Sequence, residues 1–197
     1  MRQYWGQATW LLETLVMKAA GIDPDGPDLR FTMGKYELKR EERSSAFKEA
    51  MTRADTMPRD SDVTDIRVSL GKIFDQYLEG LKTPWRGLKV NALTIIVLTD
   101  GLWQGVEVKE EVDDQIVTFV RRVRELTNNV IPRRVSIEFI QFGKDAEATK
   151  RLRNLDDHLK AQGIELVYSL LFPKLQLIGL GTSLIQSHQT VIYIRCF

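Results

Sequence analysis

The run from Leu93 to Thr99, followed directly by Asp100 and Gly101, constrains the fold of this chain more than any other feature. Its residues are apolar or β-branched at odd and even positions alike, which predicts a strand buried on both faces of a parallel sheet. The strand must end at a carboxylate followed by a residue that lets the backbone turn sharply. Because ligands of open α/β sheets bind beyond the carboxyl ends of the strands, we expect Asp100 to lie at the functional edge.

Predicted strands alternate with predicted helices along most of the chain, which is typical of an α/β domain with a mainly parallel sheet. Apolar residues recur at helical spacing in five segments, which predicts five helices. Asp145 is expected to cap the last helix. Trp10 is expected to lie on the apolar stripe of the first helix. The helices are predicted at 8–20, 45–53, 66–81, 112–126 and 148–159. The strands are predicted at 28–33, 36–38, 92–99, 135–142 and 164–168.

The bulk composition is that of an ordinary globular protein. The 197 residues are 43% hydrophobic and 28% charged, and 28 basic residues against 27 acidic ones give a net charge of +1. This balance predicts neither a nucleic-acid partner nor a membrane partner. A single cysteine, Cys196, is consistent with a reducing compartment, and no apolar run is long enough to span a membrane. We therefore expect a soluble cytoplasmic protein.

The order of these elements, with two short motifs, resembles a von Willebrand factor A domain. Thr64-Asp65 opens the helix 66–81, and Leu98-Thr99-Asp100-Gly101-Leu102-Trp103 closes the strand 92–99. The Thr-Asp-Gly-x-Trp ending is similar to that of a group of single-domain A-type proteins, and Leu155-Asp156-Asp157 fits the same group. The resemblance implies a Rossmann-like three-layer sandwich over residues 1–168, with residues 169–197 as an atypical tail.

The resemblance also implies a non-enzymatic module that binds a partner protein's carboxylate through a divalent cation at a metal-ion-dependent adhesion site. Thr64 and Asp100 match two ligands of that site, whose ion would be Mg²⁺, or else Mn²⁺ or Ca²⁺. The family's Asp-x-Ser-x-Ser segment has no match in this chain. Because one carboxylate and one hydroxyl compensate poorly for dehydrating Mg²⁺, we expect metal binding to be weak and the site to be degraded.

The unmatched segment follows the first strand of the family, so the chain is expected to be truncated at its N-terminal side. In the family this strand lies between the partners matched here by 28–33 and 92–99. Its loss predicts exposed sheet edges and self-association. The segment 191–197 has strand propensity, but would leave an apolar terminus exposed unless it is paired.

A second interpretation is a phosphate-ester hydrolase of the haloacid-dehalogenase type. The segment 60–64 carries the Asp-x-Asp-x-Thr pattern, in which Asp60 would be the nucleophile, with Asp62 beside it. That chemistry requires a buried strand directly before Asp60. Of the remaining candidates, Trp103 is interpreted chiefly as a packing residue and His158 as a partly exposed surface residue.

Overall fold

The computed structural model describes residues 2–19, 23, 26–32, 37–56, 65–82, 92–103, 110–128, 135–164, 167–171 and 189–194. Within these ranges, a short 3₁₀ turn leads into the first of five helices, and six strands form one sheet. The helices are α1 (Trp5–Ala19), α2 (Ser44–Thr56), α3 (Ile66–Lys82), α4 (Glu110–Leu126) and α5 (Ala146–Ala161). The strands are β1 (Asp28–Phe31), β2 (Glu37–Leu38), β3 (Leu93–Thr99), β4 (Val135–Gln141), β5 (Val167–Leu171) and β6 (Gln189–Ile194).

The sheet confirms the predicted α/β class. Its strand order is β2-β1-β6-β3-β4-β5, in which β2 is antiparallel to β1 and every other neighbouring pair is parallel. All seven residues of β3 are buried, as their apolar and β-branched character predicts. Helices cover both faces, so both sets of side chains on β3 lie in apolar surroundings.

The strand β6 occupies a position that the sequence does not predict. It runs parallel to both β1 and β3 and lies between them, so that Ile192 is opposite Leu29 on one side and Ile96 on the other. The gap expected between 28–33 and 92–99 is therefore filled, and the exposed edges inferred there are absent from the described sheet. The tail pairs because its apolar residues complete the buried centre of the sheet.

The two apolar clusters lie on opposite faces of the sheet. Helices α3, α4 and α5 pack over the face that holds Ile95 and Val97, whereas α1 and α2 pack over the face that holds Ile96 and Leu98. Trp10 is not part of the buried stripe of α1, contrary to expectation, and is 49% exposed. Its position falls outside the helical spacing of the buried set, which is Ala8, Leu11, Leu12, Leu15, Val16 and Ala19.

Hydrogen bonds fix both ends of helix α5. Asp145 caps the helix as predicted, because its side chain accepts a hydrogen bond from the Ala148 amide at 2.8 Å. Strand β5 begins later than predicted. Ile164 still closes the helix, since its amide donates to the Leu159 carbonyl at 2.9 Å after Gly163 turns the backbone with φ +70°. Among the described helices, none is long and apolar enough to cross a membrane.

Candidate functional site

Asp100 is the first residue after β3, at the carboxyl edge of the sheet. It is 7% exposed, and its Oδ1 accepts a hydrogen bond from the Leu102 amide at 3.2 Å. The preceding Thr99 hydroxyl accepts from the Gly101 amide at 2.9 Å. The pairing of β3 with β6 extends to Leu98 and Ile194, so this turn follows the point where the two central strands end together. Asp100 thus lies at the kind of edge where α/β sheets bind ligands.

The turn after Asp100 depends on glycine in two ways. Gly101 has φ +76°, a left-handed conformation that residues with a side chain adopt at a cost. A Cβ at this position would also lie 2.7 Å from the Cβ of Ala148 on α5. The close approach of α5 therefore holds the turn against the sheet.

Arg151 supports the same turn, and sequence reasoning missed it. Its Nη1 donates to the Gly101 carbonyl at 3.0 Å, and its guanidinium carbon lies 5.7 Å from the ring centroid of Trp103. Trp103 is 5% exposed and packs 5.9 Å from Phe139, which agrees with its interpretation as a packing residue. The sequence carries no signal for this role, because it depends on α5 packing with Ala148 and Arg151 against Gly101.

The other predicted site residues, Thr64, Asp60 and Asp62, lie outside the described residues. The meeting of Thr64 with Asp100 therefore stays a prediction. The neighbouring Asp65 is engaged at the start of α3, where the hydrogen bond from Arg67 holds the pKa of its carboxyl below the ordinary value. Arg67 also forms an ion pair with Glu111 on α4.

The described residues do not form a metal site by themselves. Across the described ranges, no group of three or more His, Cys, Asp or Glu side chains could hold one. Asp100 supplies one carboxylate at this turn. Its Oδ1 already accepts a hydrogen bond from the Leu102 amide. A hard cation needs several oxygen ligands, so this turn alone supplies too few.

A second polar pair joins α4 to α5. The Nδ1 of His158 lies 2.9 Å from the Oδ2 of Asp113, whose residue is 7% exposed. His158 was expected to be a partly exposed surface residue, and its side chain is 36% exposed. Its pairing was missed because the partner lies 45 positions earlier in the chain, on another helix.

Replacing Gly101 by Ala is expected to lower the free energy of unfolding by about 1–3 kcal/mol, because the left-handed backbone and the contact with Ala148 both oppose a Cβ. Urea unfolding followed by circular dichroism measures this change. Gly80→Ala is the matched control, since a Cβ there meets nothing within 4 Å and helical Ala is favoured over Gly. Equal stability of Gly101→Ala and the wild type would contradict the described turn.

The site is thus a buried carboxylate in a tight turn that is held by α5 through Arg151 and Ala148. No nucleophile paired with a base is evident around this turn in the described part of the chain. A comparison of the chain with protein-family models, curated proteins and solved structures finds no significant match.

Proposed function

We propose that this chain is a non-enzymatic protein-interaction module of the von Willebrand factor A type, built as a three-layer sandwich. The strand order supports this proposal. The resemblance requires a central strand between 28–33 and 92–99, and β6 lies between β1 and β3 in parallel orientation. The edge strand β2 alone runs antiparallel in the described sheet. In this proposal β6 takes the place of the family's first strand.

The proposed recognition surface is the carboxyl edge around Asp100 and Leu102. Leu102 is 40% exposed although it follows a buried carboxylate and precedes the buried Trp103. An exposed apolar side chain on a firmly held turn suits contact with a partner, because little ordering of the turn is needed on binding. We propose that a partner segment packs on Leu102, and that its carboxylate reaches this edge only where a cation bound by Thr64 and Asp100 would lie between the two acids.

The hydrolase interpretation gains no support from the fold. Helix α2 continues to Thr56, so only residues 57–59 separate it from Asp60. Three residues are too few for the buried strand that must present an aspartate nucleophile at the edge of a sheet. None of the six described strands ends at Asp60. The interaction module is therefore the better supported function.

Partner capture by the immobilised full chain tests this proposal. Retention of the proteins that the wild type captures is expected to fall about fivefold or more with Leu102→Ser, because truncating a contact at the centre of an interface costs about 1 kcal/mol or more. Leu126→Ser is the matched control, since Leu126 is 42% exposed on α4 and outside the proposed surface. Equal loss with both variants, or loss with neither, would contradict the proposed surface.

The same capture, repeated with Mg²⁺ and with EDTA, tests Thr64 and Asp100 as ligands of a bridging cation. Dependence on Mg²⁺ that disappears in Thr64→Ala and Asp100→Asn would support that role. Capture that EDTA does not change would show that the partner binds without a cation. The Leu102→Ser variant would then be the test of the proposed surface.

A further inference from the structure

A polar cleft lies between α4 and α5, and Leu102 is not among its lining residues. Its volume is about 170 Å³, well above the roughly 10–15 Å³ that admits one water molecule. One helical stripe of α5 forms most of the lining, because its residues recur at spacings of three and four. The lining residues are Asp113 of α4 and Glu147, Lys150, Arg151, Asn154, Leu155 and His158 of α5.

The stripe carries hydrogen-bond donors that the fold uses only in part. Arg151 gives one N–H to the Gly101 carbonyl, while its Nε has no acceptor among the described residues. Lys150 is exposed at the mouth of the cleft, and Asn154 adds an amide one turn further along. Lysine and arginine donors with an amide are the side chains that bind oxyanions in proteins.

The cleft also carries acceptors. The Nδ1 of His158 faces Asp113, and in the tautomer that carries its proton on Nδ1 the Nε2 is an acceptor. The Glu147 carboxylate is a second acceptor at the other end of the stripe. A ligand that fits this lining must therefore accept hydrogen bonds from Lys150 and Arg151 and also donate at least one.

We propose that this cleft binds inorganic hydrogen phosphate. The dianion that exists near neutral pH offers three oxygens to the cationic donors and keeps one P–O–H group for His158 or Glu147. Sulfate has the same shape and charge but no proton at this pH, so it leaves an acceptor facing an oxyanion. A fully ionised phosphate monoester also lacks the donor, which distinguishes free phosphate from a phosphorylated partner.

Isothermal titration of the full chain at pH 7.5 and constant ionic strength tests this site. We expect one hydrogen phosphate per chain, with sulfate and phenyl phosphate each bound at least tenfold more weakly. Lys150→Gln is expected to weaken phosphate binding about tenfold, since a charge-assisted hydrogen bond is lost. Arg153→Gln, which removes an exposed cation of the same helix outside the lining, is expected to change affinity less than twofold.

Three results would overturn the proposal. They are the absence of saturable phosphate binding by the wild type, equal affinity for phosphate and sulfate, and equal weakening by Lys150→Gln and Arg153→Gln. Because Lys150 is exposed, its substitution is expected to leave the unfolding transition unchanged, and circular dichroism of each variant checks this. None of these binding and unfolding measurements depends on Leu102 or on the capture of a partner protein.

Discussion

The wild type is expected to lose stability between pH 4.5 and pH 8, and Glu138→Gln is expected to remove most of that loss. Glu138 lies on β4, is 4% exposed and is opposite Ile96 in the sheet. Its Oε2 has no hydrogen-bond partner among the described residues. Burial therefore raises the pKa of this carboxyl from 4.5 to about 8. The folded protein keeps Glu138 largely protonated at neutral pH.

The direction of the effect follows from proton binding. Between pH 4.5 and pH 8 the folded state holds the Glu138 proton and the unfolded state releases it, so the contribution of Glu138 to stability is largest below pH 4.5 and is lost as the pH rises through 8. At about 1.4 kcal/mol per pKa unit, the full difference amounts to about 5 kcal/mol. A glutamine of the same shape stays neutral throughout and does not contribute this slope.

Urea unfolding at pH 5 and at pH 8 measures the effect in the wild type and in Glu138→Gln. Glu125→Gln is the matched control, because Glu125 is exposed on α4 and the same chemical change is made there in solvent. The control is expected to keep the wild-type pH dependence. A wild-type slope that survives in Glu138→Gln would show that another group is responsible.

Ile192→Ala is expected to lower the free energy of unfolding by about 3 kcal/mol, within the 2–5 kcal/mol typical of emptied core positions. Ile192 is fully buried on β6 and packs in the cluster that α1 and α2 cover. Its strand forms backbone hydrogen bonds with β1 on one side and with β3 on the other. The resulting cavity would lie in the centre of the sheet, where the neighbouring strands cannot move far enough to fill it.

Urea unfolding at one fixed pH checks this prediction. Leu126→Ala provides a comparison, since Leu126 is 42% exposed at the end of α4 and is expected to cost less than about 0.5 kcal/mol. A change of similar size at both positions would contradict the central placement of β6.

Local patterns in the sequence predict the elements whose burial is periodic or continuous. The run 93–99 identified β3, because a strand covered on both faces is apolar or β-branched at odd and even positions alike. Asp145 was recognised as a cap because capping is decided within one helical turn. Such signals need no knowledge of which elements become neighbours.

The remaining features depend on contacts between distant parts of the chain. The position of β6 is set by pairing with β1 and β3, and no local property of 189–194 names those partners. The link between His158 and Asp113 depends on how α4 packs against α5, and the burial of Glu138 depends on how the sheet face that holds Ile96 is covered. Asp100 could be placed at a strand end, whereas Arg151 became visible only with α5 in place.

The central strand also has a kinetic consequence. Within the described sheet, β6 alone joins the β2-β1 ribbon to the β3-β4-β5 ribbon, and its register brings together Leu29 and Ile192, which are 163 positions apart. Contacts of such long sequence separation slow folding, because the entropy of loop closure must be met before they form. Until they form, the two ribbons have open edges, and partly folded chains of this protein are expected to associate through them.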